Sequence, residues 1–276
     1  MSLKDQALQV LAWCDAGRYP APSGAPVDFA AAQAAAVAGT RLYRPAECAA
    51  LLDHPDGAGP PPRITVTAET TQAATHRLLT EGPGAVALLN FASARNPGGG
   101  FLGGAKAQEE DLCRCSGLFP CLVTQPDYYT VNRAERSLIY TDHLIWSPAV
   151  PFFAVEAGQP LTQPFLAGVI TSPAPNGAHL QRHPDDRVAF EAAFKQRIGH
   201  VLAVAQAQGH RRLVLGAWGC GAFANDPGTV APLFRGWLLS PRFAGAFDEA
   251  VFAVYAPGRH RRNLEVFQAV LRGGAG

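Results

Sequence analysis

The chain has 276 residues, 48% of them hydrophobic and 16% charged, with a formal net charge of +1. That balance describes a globular protein long enough to bury a sizeable core, as one large domain or a domain with an extension, and excludes a disordered chain. A near-neutral chain lacks the basic face with which proteins grip duplex nucleic acid, its longest apolar run (about residues 85–89) is too short for a membrane span, and its first residues lack a secretion signal, so a cytoplasmic home is expected.

Residues 3–14 read as a short amphipathic helix with Leu3, Leu8, Leu11 and Ala12 as apolar points. The Pro/Gly/Ala-rich stretch 18–26 reads as loop, and 29–37 as a helix with Asp28 as its N-cap. A helical turn at 47–52 stops before Pro55. The run Asp-Gly-Ala-Gly-Pro-Pro-Pro at 56–62 is the clearest linker, which predicts an N-terminal helical extension of residues 1–62 packed on a main domain of residues 63–276.

Beyond the linker, strand and helix alternate. Residues 64–66 predict a short strand and 71–79 a helix with His76 and Arg77 on its polar side. Residues 85–91 (Ala-Val-Ala-Leu-Leu-Asn-Phe) form a continuous apolar strand, as expected where helices cover both faces. A glycine-rich loop follows, then a helix over 107–118. Short strand pieces at 137–146 and 151–154 flank a turn at 141–143, and 165–171 is a strand ending in a Pro-rich loop at 172–177. The longest helix is predicted over 184–208, with Gly209 as its stop. A strand at 212–215 runs into a second glycine loop, 216–223, and Asp226-Pro227 opens a helix to about 239. A strand at 250–255 and a helix at 263–271 close the chain. The pattern is an α/β domain that binds its ligand at the carboxyl ends of its strands.

The six cysteines, at 14, 48, 113, 115, 121 and 220, form no Cys-x-x-Cys pair, and Cys113 and Cys115 point to different faces of a helix, so no metal site is expected. No Gly-x-Ser-x-Gly elbow and no Gly-x-x-x-x-Gly-Lys-Ser/Thr loop is present. The late loop reads Gly-x-x-Gly-x-Gly, in the wrong order and place for a dinucleotide fingerprint. His143, His179 and His183 fall in predicted loops and are candidates for surface or substrate contact. The one dense basic cluster, Arg259-His260-Arg261-Arg262, reads either as a solvated loop or as a contact to further phosphates.

The chemistry concentrates between residues 96 and 111, Asn-Pro-Gly-Gly-Gly-Phe-Leu-Gly-Gly-Ala-Lys-Ala-Gln-Glu-Glu-Asp. Glycines bring backbone N–H groups close to a ligand because no Cβ intervenes. Two such loops, Gly98-Gly99-Gly100 with its sequel and Gly216 to Phe223, suit a ligand with phosphates, a pyrophosphate above all. Gln108, Glu109 and Glu110 open a helix directly after the first loop. Two adjacent acids repel, so one holds its proton near neutral pH if the site is buried, whereas the helix N-terminus favours both charges. A protonated carboxyl at this place suits glycosidic cleavage, where the departing oxygen must be protonated. The alternative is a solvated acidic helix start. Asn96 either holds a ribose hydroxyl or opens a turn, and Phe223 either lies against a sugar or base face or belongs to the core.

A Gly-Gly-Gly run followed after seven residues by Gln-Glu-Glu resembles the signature of poly(ADP-ribose) glycohydrolases, and the wider pattern Asn-Pro-Gly-Gly-Gly-Phe-Leu-Gly-Gly-Ala-x-Ala-Gln-Glu-Glu-x-Leu is similar to their bacterial branch. The loop Gly-Ala-Trp-Gly-Cys-Gly-Ala-Phe, more loosely, resembles their diphosphate-binding loop. The resemblance covers most of the chain and implies a macrodomain-like catalytic domain, a three-layer sandwich with a mixed sheet between helices, preceded by a helical extension. It implies an enzyme that hydrolyses ribose–ribose bonds of poly(ADP-ribose) on modified proteins and releases ADP-ribose, mainly from the chain end. Glu110 would then protonate the leaving oxygen, Glu109 would bind ribose hydroxyls, and Gln108 would support the loop. Asn96 would hold the distal ribose with Phe223 packed against it, and Gly219, Gly221 and Ala222 would bind the pyrophosphate through their N–H groups. Expected with it are no cofactor, no membrane or sequence-specific nucleic-acid partner, a monomer, and a place in the DNA damage response. The rival functions are a non-catalytic ADP-ribose reader and a hydrolase acting on mono-ADP-ribosylated proteins.

Overall fold

The computed structural model describes residues 1–258 and 261–272. Its centre is a seven-stranded mixed sheet in the order β3-β6-β7-β5-β8-β9-β4. The strands are β3 (Arg41–Tyr43), β4 (Arg63–Thr67), β5 (Val86–Phe91), β6 (Leu144–Glu156), β7 (Gln159–Ser172), β8 (Arg212–Leu215) and β9 (Glu249–Ala253). Strands β7, β5, β8, β9 and β4 run parallel, while β6 is antiparallel to both β3 and β7.

Alternation along β5 shows why the run is apolar throughout: Val86 and Leu88 face one apolar cluster, Ala87 and Leu89 the other. The first cluster is closed by α1 (Leu3–Ala16), α2 (Ala30–Gly39), α4 (Thr71–Glu81), α5 (Gln108–Cys115), α6 (Leu118–Val123) and α7 (Pro126–Ala134). The second is closed by α3 (Pro45–Leu52), α9 (Arg187–Ala207), α10 (Pro227–Leu238) and α11 (Arg262–Arg272). The result is the macrodomain-like three-layer sandwich. Among the described residues no helix is long and apolar enough to cross a membrane.

The N-terminal 62 residues are more than a helical extension, and the boundary at 62 does not separate two cores. Strand β3 hydrogen-bonds to β6 as an edge strand of the central sheet, and Ala7, Val10 and Ala36 join the apolar cluster of the main layers. The stretch 18–26 holds a small hairpin, β1 (Arg18–Pro20) with β2 (Pro26–Asp28), turned at Gly24, instead of open loop. The N-cap of α2 is Phe29, and Asp28 caps one residue early, its Oδ1 accepting from the Ala30 N–H at 3.1 Å. Even the linker is fastened, the Gly57 N–H donating to Pro241 O at 2.9 Å and Pro60 O accepting from the Gly245 N–H at 3.0 Å.

The predicted helix 107–118 is broken after Cys115, because Ser116 adopts extended backbone and bridges Phe152, and Gly117 leaves room for the buried Gln33 side chain. Helices α6 and α7 then continue the layer. Of the predicted strand pieces at 137–146 and 151–154, residues 137–143 are not strand, while 144–146 and 151–154 are parts of the single strand β6, which irregular register carries past its prolines. The predicted helix 184–208 starts later as α9, preceded by the short α8 (Ala178–Arg182) and a 3-10 turn at Pro184–Asp186.

Candidate active site

Parallel pairing brings the carboxyl ends of β7, β5 and β8 to one edge of the sheet, and antiparallel β6 starts at that same edge. The loops leaving it are 92–107 after β5, 173–177 after β7 and 216–225 after β8. The Phe91 ring lies against Gly216, so the two glycine loops are neighbours.

The acids stand at the first turn of α5. Glu109 is 3% exposed and Glu110 7%. Gln108 ties the helix start to the strand end: its Oε1 accepts from the Phe91 N–H at 2.8 Å, and its Nε2 donates to Leu89 O at 2.8 Å and Thr71 Oγ1 at 3.0 Å. Glu109 Oε1 accepts from Asn90 Nδ2 at 3.2 Å and Oε2 from the Ser93 N–H at 2.7 Å, and the Gly98 N–H also donates to this carboxyl. Glu110 Oε1 accepts from the Gly100 N–H at 2.8 Å, while its buried Oε2 has no protein partner among the described residues. Gly98 and Gly99 take positive φ, +64° and +58°. A Cβ at Gly99 would collide with the Glu110 carboxyl and stand 3.1 Å from Glu109 Oε2. The glycine run is therefore the mould into which both carboxyls fit.

Burial pushes the Glu109 carboxyl up to about 8; the Ser93 and Asn90 donors oppose the rise and the neighbouring Glu110 adds to it. The folded protein thus keeps on Glu109 a proton that the unfolded chain, titrating at 4.5, releases. This contribution to stability is complete below pH 4.5 and is lost as pH rises through 8. His143, His200 and His210, which burial pulls below their ordinary value, act with the opposite sign. The readout is therefore a difference: between about pH 6 and about pH 9 the unfolding temperature of wild type should fall relative to that of Glu109→Gln. Melting curves that stay parallel over that window would contradict the buried proton.

Asn96 sits exposed on the turn ahead of the glycines, its N–H donating to Ser93 Oγ at 3.2 Å and its carbonyl accepting from the Gly99 N–H at 3.0 Å. In the late loop, the Asn225 N–H donates to Gly219 O at 3.0 Å and the Ala224 N–H to Gly221 O at 2.9 Å. The N–H groups of Gly219, Gly221, Ala222 and Phe223 have no protein acceptor among the described residues. Gly219 has φ +73°, and a Cβ there would press on Ala174 and Asn225. Trp218, fully buried, anchors the loop by donating from Nε1 to Ser172 O at 3.3 Å. The Phe223 ring faces Tyr140, with centroids 6.0 Å apart.

Other sequence candidates fall elsewhere. His179 lies on α8, not in a loop; it is buried, with Nε2 2.8 Å from Asp186 Oδ2, and serves the packing of that segment. His143 Nδ1 pairs with Thr141 Oγ1 at 2.9 Å. Of the basic cluster, Arg259 and His260 lie outside the described residues, and Arg262 pairs with Asp226 at 2.6 Å. All six thiols are free, and among the described residues no group of three His, Cys, Asp or Glu side chains is placed to hold a metal ion. Sequence reasoning missed Asn90 and Ser93, which hold Glu109, and Thr71, which holds Gln108. One signal was there: Asn90 interrupts an otherwise apolar buried strand, which is where an amide needs a specific partner.

A family model described as microbial-type PARG, catalytic domain, matches residues 7–154. The solved structure of poly(ADP-ribose) glycohydrolase from Thermomonospora curvata is 45% identical, covering 97% of this chain and 98% of that one at a TM-score of 0.92. The same enzyme bound to the inhibitor ADP-HPD matches at 45% identity over 97% and 98% of the two chains, with a TM-score of 0.89. Poly(ADP-ribose) glycohydrolase from Deinococcus radiodurans in complex with ADP-ribose is 43% identical over 87% of this chain and 96% of that one, with a TM-score of 0.80. No curated protein sequence matches the chain. The matched segment 7–154 spans more than half of the 276 residues and contains the glycine mould, Gln108 and both acids, and with these likenesses along almost the whole fold the chain belongs to the microbial-type poly(ADP-ribose) glycohydrolases.

Proposed function

We propose that the protein hydrolyses the ribose–ribose O-glycosidic bonds of poly(ADP-ribose), mainly from the chain end, with Glu110 as the general acid. The observation that carries the assignment of the acid is the division of labour between the two carboxyls. Glu109 takes three N–H donors and is held, whereas Glu110 has one oxygen fixed by the Gly100 N–H and the other buried and unpaired. A fixed carboxyl with one free oxygen is what a proton transfer of defined direction requires.

In this mechanism Glu110 gives its proton to the leaving 2′-oxygen as the bond from that oxygen to the anomeric carbon breaks. Water then attacks the oxocarbenium-like carbon, and Glu110 takes the proton that water loses. Adjacent acids on one helix start cannot flank a glycosidic bond as the paired carboxylates of most glycosidases do. The substrate's own diphosphate, seated on the Gly219, Gly221 and Ala222 N–H groups, is positioned to stabilise the positive charge instead. Glu109 accepts three N–H donors, and the proton it keeps is free to be donated to a ribose hydroxyl. The exposed Asn96 amide holds the distal ribose and Phe223 packs against it, while Gln108 keeps α5 docked on β5.

Labelled poly(ADP-ribose) of defined length tests the reading. Early samples should contain free ADP-ribose and slightly shortened polymer, with few oligomers of intermediate length. Intact polymer beside bound ADP-ribose would leave only a reader, and activity confined to mono-modified protein would move the substrate to the protein linkage.

A further inference from the structure

Arg197 is the most deeply buried charged side chain that the acids do not account for. It is 1% exposed and projects from α9 beneath the site edge. Its Nε donates to Asp142 Oδ1 at 2.7 Å, Nη1 to Ile139 O and Pro173 O at 2.9 Å each, and Nη2 to Tyr140 O at 3.2 Å. One guanidinium thus satisfies three carbonyls from two loops, 137–142 and 173–177, that both border the cleft. A buried ion pair is a weak device for stability, since an apolar residue of similar volume does as well. What a planar fork does better is to fix several acceptors at once.

The loop it holds is strained. Tyr140 has φ +62°, a left-handed conformation that is unfavourable for a non-glycine residue and persists only where its surroundings over-determine it. Asn132 supplies the other anchor, its Oδ1 accepting from the Thr141 N–H at 2.9 Å and from Thr141 Oγ1 at 3.0 Å. With its carbonyl turned in to Arg197, Tyr140 presents its ring to Phe223 across the edge. The Phe223 carbonyl in turn accepts from the Gly177 N–H at 2.8 Å, so the three loops form one wall.

We infer that Arg197 is a positioning residue of the cleft: through Asp142 and the three carbonyls it sets Tyr140 opposite Phe223, and Tyr140 is a second aromatic wall against the ribose of ADP-ribose. The inference rests on the reading of Phe223 as a ribose wall. None of the groups Arg197 holds is an anchor of Glu109 or Glu110, which depend on Asn90, Ser93, Gly98 and Gly100. Its effect is therefore on ligand affinity, separate from the proton transfer.

Calorimetric titration of the full chain with ADP-ribose tests this. Tyr140→Ala and Arg197→Lys should each weaken binding about tenfold, and Tyr140→Phe, which keeps the ring, should restore it to within about twofold of wild type. The double variant Tyr140→Ala/Arg197→Lys should bind no more weakly than Tyr140→Ala alone, because no ring is left to misplace; a merely structural Arg197 would give independent, multiplying losses. Should Arg197→Lys not fold, Asp142→Asn, which keeps an acceptor for Nε, takes its place with a smaller loss of about threefold that is again absent in the Tyr140→Ala background. Phe223→Ala separates the two readings. If it weakens binding while Tyr140→Ala does not, the ribose wall at Phe223 stands and the inference about Tyr140 and Arg197 falls. If Phe223→Ala binds as wild type does, the ribose reading falls and this inference with it.

Discussion

Glu110→Gln should remove nearly all release of ADP-ribose from polymer, by a factor on the order of 10³, the middle of the range for loss of a positioned general acid. The amide keeps an oxygen that can accept from the Gly100 N–H, and it fills the same space in the glycine mould, so the fold and the glycine loops stay in place. Affinity for ADP-ribose should therefore stay within about threefold of wild type, since the interaction removed is one made with the transferring proton and not with the bound product. Labelled polymer measures the first quantity and calorimetry the second. Near-normal turnover by the variant would end the assignment of Glu110. Loss of binding and turnover together would make it a residue that only holds the ligand.

The second large effect is at Gly99. Alanine there meets two obstacles at once: φ of +58°, which is unfavourable for any residue with a Cβ, and a Cβ position that the Glu110 carboxyl occupies, 3.1 Å from Glu109 Oε2. The loop must move away from the acids or the acids from the loop, and either shift breaks the alignment of Glu110 on the Gly100 N–H. Gly99→Ala should lower turnover about 100-fold, as small misplacements of reacting groups do, and destabilise the protein by about 1–3 kcal/mol. Gly103→Ala is the control: a Cβ there meets nothing within 4 Å, so activity and melting temperature should stay close to wild type. Equal losses at the two positions would mean that the loop matters through its flexibility and not through the space it leaves for the carboxyls.

The two glycine loops show how the legible and the hidden parts of the site differ. A glycine run needs no context to be recognised as backbone that must come close to something, and three acids after it mark a helix start. Asn90, Ser93 and Thr71 carry no such mark, because an Asn in a strand or a Ser in a turn has many ordinary uses, and only the docking of α5 on β5 shows each one as an anchor of a carboxyl or of Gln108. Arg197 is more hidden still, lying 55 residues in sequence from Asp142 and 24 from Pro173 O. The misread elements have similar causes. Strand β3 is three residues long, too short for alternation to show, and exists because β6 offers it a partner edge. The break after Cys115 follows from a contact to Phe152 and from Gln33, neither of which is near in sequence.

What the sequence by itself determined is therefore the local chemistry: the alternation of strands and helices, the glycine mould at 98–100, and the Gln-Glu-Glu start at 108–110, all of which depend on neighbours within a few residues. The tertiary structure alone decided that the first 62 residues supply an edge strand, β3, to the central sheet, and that the two adjacent acids differ. Glu109 is enclosed by donors from β5 and its loop and pushed up to about 8, whereas Glu110 is left with one oxygen unpaired. Two identical side chains, one residue apart, acquire different roles because burial and hydrogen-bond donors are properties of the packed neighbourhood, and helix geometry turns consecutive residues about 100° apart into different parts of it.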